Sequence, residues 1–207
     1  MSGLASRFEA CWRGLGCTND PAPTYEALVA AWREPHRVYH SPDHLRTCLE
    51  LFDEVRDRAE RPADVEAALW FHDAVYDTHP LDNEARSARW AREALAAGGA
   101  DPSTGARVAD LVRETRHDAP ANGGDAALVV DVDLAVLGFP AEEFDAYARG
   151  VRDEYRWVDE PEWRLARQGV LAGFLARDQL YRTPELRVRF EARARKNLAR
   201  ATAALRE

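Results

Sequence analysis

An all-α fold is what the sequence predicts, and three observations carry that prediction. Apolar residues recur at helical spacing along almost the whole chain, and proline and glycine punctuate the rhythm. The one extended run, "AALVVDVD" (126–133), has no second strand to pair with and is expected to lead into a helix. Helices are expected at 4–14, 24–34, 42–60, 63–77, 83–97, 103–116, 132–137, 141–157, 162–178 and 185–205.

In chain order, the opening stretch "MSGLASRFEACWRGLGC" holds Arg7, Glu9 and Arg13 and has no long apolar run, so it reads as a helix rather than a signal peptide. Ser41-Pro42 marks a helix start, a cap residue followed by proline at the first helical position, and Asp101-Pro102 repeats the signal. "AAGGAD" (96–101) is a helix stop. "HDAPANGGD" (117–125) is the longest irregular segment, rich in turn formers, and such loops are often functional. From Pro140 onward the chain is amphipathic helix without obvious chemistry, suited to completing the core and to a homo-oligomer surface. Trp32, Trp70 and Trp90 sit at helical spacing and read as core.

At 207 residues the chain suits a single domain, 1–207, with a substantial core. A formal charge of -8 argues against a nucleic-acid backbone as partner, which asks for a basic stripe. The longest uncharged apolar stretches, such as "VLAGFLA" (170–176), are far below the ~20 residues of a membrane span. Cys11, Cys17 and Cys48 have no CxxC spacing and read as reduced thiols of a cytoplasmic protein. Phosphate-loop, dinucleotide and serine-hydrolase signatures are missing from the sequence.

Chemistry concentrates in "HRVYHSPDHLRTCLELF" (36–52), where His36, His40 and His44 stand four apart. Pro42 removes a backbone donor and biases Ser41 away from helical angles, so one helix through all three is not expected. His44 becomes the third residue of a new helix, stacked with Cys48 and Phe52, and His40 stays in the corner before it. A second cluster, His72-Asp73 in "ALWFHDAVYD" (68–77), lies in strongly apolar surroundings, where such a pair is costly unless partnered or bound to metal. A third, Asp131 and Asp133 in "VVDVDLAVLG" (129–138), repeats the anomaly.

His44, then His72-Asp73, then Asp133 follow the H…HD…D order of the HD superfamily of metal-dependent phosphohydrolases, which this chain resembles. "YHSPDHL" (39–45) and "VDLAVLG" (132–138) are similar to metal-site stretches of cyclic-nucleotide phosphodiesterases, distant relatives of that superfamily. "FHDAVYD…DNEARSA", "DVDLAVLG" and "YRTPELRVRFEARARKNL" (181–198) look like an uncharacterised bacterial branch of it, and the resemblance covers roughly residues 25–200.

The resemblance implies an HD-type helical domain with the metal site within about 36–138 and helices at about 140–205 completing the core. It implies a divalent cation (Mn, Fe, Co, Ni, Zn or Mg) held by His44, His72, Asp73 and Asp133. Asp131 competes with Asp133 for the fourth place, or caps a helix starting near Val132. The implied reaction is hydrolysis of a phosphate ester, on a small phosphorylated molecule, by a metal-activated water. His40 matches the histidine that protonates the leaving oxygen, and Arg37 offers a planar fork for phosphate. His117 is a candidate for a second metal or the substrate phosphate; Asn83 and Glu84 are candidates for orienting substrate or water. Ser41 replaces the phosphodiesterases' asparagine, and their long substrate region is missing, which argues against cyclic nucleotides.

Plainer readings stand beside these. His44 alone would be a core histidine packed on Cys48, His72-Asp73 a hydrogen-bonded pair, and Arg37, Glu84 and His117 salt-bridged surface residues. Two other functional classes use the same scaffold. One is a non-catalytic module that binds metal or nucleotide. The other is a di-iron oxygenase, for which His79 and His117 are the only spare histidines after the HD pair.

Overall fold

The helical rhythm is realised as predicted. A computed structural model describes residues 2–79, 82–121 and 123–206, and among these there is no strand. The helices are α1 Ser2–Gly14, α2 Ala22–Trp32, α3 Pro42–Val55, α4 Pro62–Phe71 and α5 Asn83–Gly98, then α6 Pro102–Glu114, α7 Gly124–Asp133, α8 Ala141–Glu154, α9 Glu160–Leu175 and α10 Pro184–Ala204. Short 3-10 segments, Arg56–Arg58 and Leu134–Gly138, extend α3 and α7. Proline stands in the first turn of α2, α3, α4, α6, α9 and α10, where its missing N–H leaves no bond unmade.

Where the sequence predicts a single domain, the chain divides into two compact units, Met1–Val130 and Asp131–Glu207. In the first unit α4 is the central helix. Every residue from Asp64 to Phe71 is buried, which explains why its sequence has no polar face. Its two buried carboxylates are neutralised from outside the helix. Glu66 accepts from Arg7 of α1 at 2.8 Å and also pairs with Arg56, and Asp64 accepts from Arg107 of α6 at 2.6 Å. Phe8 and Trp12 stack on one another beside α4, and Trp32, Leu49, Phe52, Leu69 and Phe71 fill the interior. Each large apolar side chain so buried contributes about 1.5–3 kcal/mol.

Two details hold α4 and α5 in place. Asp125, in the first turn of α7, accepts from the backbone N–H of Glu60 and Arg61 at 2.8 and 3.0 Å, serving the N-terminus of α4. At the end of α5, a Cβ on Gly98 would stand 2.7 Å from both Cys17 Sγ and the Trp12 ring, so only glycine allows this approach.

The second unit is built around α10 and the 3-10 segment Leu134–Gly138. A Cβ on Gly138 would lie within 3 Å of the Phe190 backbone. Asn197 of α10 donates to the carbonyls of Leu137 and Phe139, and Tyr181 donates its hydroxyl to Leu134. Phe144, Leu171, Leu186, Phe190 and Leu198 complete this core.

Two helix predictions are corrected. The helix expected over 63–77 ends at Phe71, and the run 126–133, expected only to lead into a helix, is itself helical within α7. The loop expected over 117–125 is irregular from His117 to Ala121 and at Gly123, then becomes α7 at Gly124; Asn122 lies outside the described residues. No helix among the described residues is long and apolar enough to cross a membrane. The three cysteines are buried and unbridged.

Candidate metal centre

The chain turns between His36 and His44, as Pro42 requires. Ser41 is extended, with φ -116° and ψ 175°, and α3 begins at Pro42, although the Ser41 hydroxyl makes no capping bond. His44 therefore sits in the first turn of α3, 6% exposed, with Cys48 one turn later and almost wholly buried. Cys48 Sγ lies 3.7 Å from both ring nitrogens of His44.

His72 occupies the cap position at the C-terminus of α4, and Asp73 follows it into the turn. This placement relieves a conflict inherent in two adjacent inward side chains on a regular helix, which would diverge by about 100°. His72 Nδ1 stands 2.9 Å from the Leu69 carbonyl, which can only accept; Nδ1 therefore carries a proton, and Nε2 points onward.

Nε2 faces two other groups. His72 Nε2 is 3.2 Å from His44 Nε2 and 3.1 Å from Asp73 Oδ2, and the His44 nitrogen is 3.9 Å from the same oxygen. Two imidazole nitrogens at such a distance repel unless a proton or a cation lies between them. A point equidistant from the three atoms stands about 2.0 Å from each, matching the roughly 2.0–2.2 Å that imidazole nitrogen and carboxylate oxygen keep from a transition-metal ion. His44, Cys48 and His72 also offer donor atoms within 4.8 Å of one another, a grouping able to hold a metal ion. Trp32, buried beneath both histidines, has its ring centroid 5.3 Å from His72 and 6.2 Å from His44. The wall is apolar on that side, which strengthens electrostatic interactions within.

The two aspartates of the third cluster have different fates. Asp131 is 1% exposed and accepts from the backbone N–H of Arg182 at 2.8 Å and of Thr183 at 2.5 Å, holding the start of α10. Burial outweighs those bonds and pushes its carboxyl up to about 6. The expectation that Asp131 caps a helix beginning near Val132 is therefore corrected: it lies inside α7 and serves another helix. Asp133 is half-buried and is the last residue of α7.

The remaining candidates separate clearly. His40 stays in the corner before α3, its ring stacked on Tyr76 at 4.1 Å and edge-on to His44 at 6.0 Å. Arg37 is not a phosphate fork in this arrangement. Its side chain is fully buried, and all five of its N–H groups donate to protein acceptors: Glu34 twice, and the carbonyls of His40, Asp73 and Ala74. Glu84, in the first turn of α5, is half-buried. Burial pushes its carboxyl above the usual range, the charge of Asp73 adds to this, and His117 and Arg116 oppose it. His117 adopts φ 60°, a left-handed conformation in which histidine is more at home than most residues. Asn83 clasps the loop after α4, accepting from the Asp77 N–H and donating to its carbonyl. His36 donates from Nε2 to the Tyr76 carbonyl at 2.8 Å, and His79 pairs with Asp77 at the surface.

Sequence reasoning passed over Tyr76, Tyr39 and Trp32 as walls of the site. Trp32 carries the periodicity of any core residue, so pattern alone gives it no distinguishing mark, whereas Tyr76, four residues after His72, was within reach. Comparison with family models, curated proteins and solved structures finds no match to this chain.

Proposed function

We propose that the protein hydrolyses a phosphate ester of a small molecule, with a divalent cation held by His44, His72 and Asp73 and with Asp133 as a fourth ligand. The observation that supports this most is the convergence of His44 Nε2, His72 Nε2 and Asp73 Oδ2 on one point, at separations of 3.1–3.9 Å. Asp133 enters through the sequence order, and the commitment of Asp131 to the start of α10 favours it. The donor set of two imidazoles and two carboxylates suits Mn, Fe, Co, Ni or Zn, and Cys48 beside it weights the choice toward the softer of these.

Such a cation, when bound, acidifies water and neutralises charge on phosphoryl oxygens. The protein's own groups do the rest. His72, with its proton fixed on Nδ1, presents a lone pair without cost of tautomer change. His40, held against Tyr76 outside the helix, delivers a proton to the leaving oxygen. Glu84, which feels both Asp73 and His117, orients water, and His117 meets the phosphate. The Trp32 wall limits competing solvent.

The test is metal analysis of the purified protein followed by a screen of phosphomonoesters, nucleotides and a chromogenic phosphodiester. Metal-dependent turnover abolished in His72→Ala is expected. Bound metal with every ester untouched would support the second reading, a non-catalytic metal- or nucleotide-binding regulatory module on the same scaffold. The placement of His40 against Tyr76, beside the site rather than in the general surface, weighs toward the hydrolase.

A further inference from the structure

Every donor of Arg37 is engaged by the protein, and nothing in the proposed chemistry uses it. Its guanidinium is fully buried between two aromatic rings, 5.5 Å from the centroid of Trp32 and 5.4 Å from that of Tyr76. Nη1 donates to the carbonyls of Asp73 at 2.6 Å and His40 at 3.3 Å, and Nη2 to the carbonyl of Ala74 at 3.2 Å. Nε and Nη2 both donate to Glu34 Oε2, at 3.0 and 2.9 Å.

Those three carbonyls belong to two separate stretches of chain. Asp73 and Ala74 lie just past the end of α4, where carbonyls have lost their intrahelical donors and the helix dipole favours a cation. His40 belongs to the corner before α3. One guanidinium thus ties the backbone of the metal-ligand aspartate to the backbone of the proposed acid.

We propose that Arg37 is a positioning residue, a buried clamp that sets where the Asp73 carboxylate and the His40 imidazole stand relative to one another. The proposal rests on the reading that Asp73 binds the cation and His40 protonates the leaving group. A guanidinium suits the task because its planar fork reaches several acceptors at once; an ammonium is a point charge that cannot span them. Outer groups that hold ligands in this way typically carry a 10–100-fold effect on metal affinity or activity.

The test compares wild type with Arg37→Lys, Arg37→Met and Glu34→Gln in the full chain. It reads Co2+ affinity by titration of the cobalt spectrum, and kcat and KM on a chromogenic phosphodiester. Both Arg37 variants are expected to bind Co2+ about tenfold or more weakly and to lose kcat rather than KM. Glu34→Gln keeps the three carbonyl bonds and is expected to stay within about threefold of wild type.

Folded Arg37 variants with wild-type Co2+ affinity and kcat would overturn the clamp while leaving the hydrolase reading intact. A wild type that binds no divalent cation would instead overturn the hydrolase reading, and the clamp with it. Loss in Glu34→Gln as deep as in Arg37→Met would show that the ion pair, not the carbonyl clamp, matters. Should both Arg37 variants fail to fold, nitrogen-15 spectra of wild type decide. Hindered, slowly exchanging Nη protons assigned to Arg37 are expected, and freely rotating ones would overturn the proposal.

Discussion

The His72-Asp73 corner and the Asp131 position look alike in sequence: acidic or imidazole groups set in apolar runs, both costly to bury without partners. In the folded chain they differ in kind. Asp131 is answered by two backbone N–H groups at the start of α10, 51 and 52 residues along the chain, which offset part of the cost of its burial. Around His72 the neighbours are a second imidazole nitrogen and a carboxylate oxygen, with all three atoms within 3.9 Å of one another. A buried polar group is therefore not a functional signal in itself. What separates the two regions is what the group meets: backbone N–H donors in one, a cluster of nitrogen and oxygen atoms at metal-ligand separations in the other.

The largest effect should come from the histidine–aspartate cluster. His72→Ala is expected to lower the proposed phosphate-ester turnover by about a thousandfold or more and to abolish the proposed metal binding, with the helical circular dichroism retained. Turnover surviving at wild-type level would break the comparison outright. Next comes a site with no chemistry at all. Glu66→Ala removes the buried carboxylate shared by Arg7 and Arg56, leaves both arginines beside Asp53, and should destabilise by about 1.5–3 kcal/mol in urea unfolding.

Asp131→Ala sharpens the contrast most directly. It should cost about 1–3 kcal/mol by leaving two N–H groups unanswered, with metal affinity unchanged. Asp133→Ala should instead weaken metal binding. Loss of metal in Asp131→Ala, and not in Asp133→Ala, would reverse the assignment of the fourth ligand. The smallest effect is expected at Asp125→Ala, about 1 kcal/mol from the lost service to the start of α4, read as a lowered melting temperature.

Much of the fold was legible because its signals are local. The helix starts at Pro42 and Pro102 follow from proline chemistry, and the stop after α5 follows from Gly99, which adopts φ 87°. The end of α4 was not legible. No glycine or proline interrupts "FHDAVYD", and the helix stops because other elements take over its backbone bonds. Arg37 binds the carbonyls of Asp73 and Ala74, Ser87 bonds both the N–H and the carbonyl of Val75, and Asn83 does the same for Asp77. The role of Arg37 was hidden for the same reason. An arginine beside a histidine reads as a phosphate fork until its five donors are seen to be engaged.

The sequence by itself determined that this chain is helical, where most helices begin, and which residue types were available to bind a cation, since periodicity and turn chemistry act over a few residues. Only the tertiary structure decided that α4 ends at Phe71, that His44 and His72 meet, and that Asp131 belongs to α10. Those outcomes depend on donors and acceptors brought together from distant positions, and spacing along a chain does not encode which of them will meet.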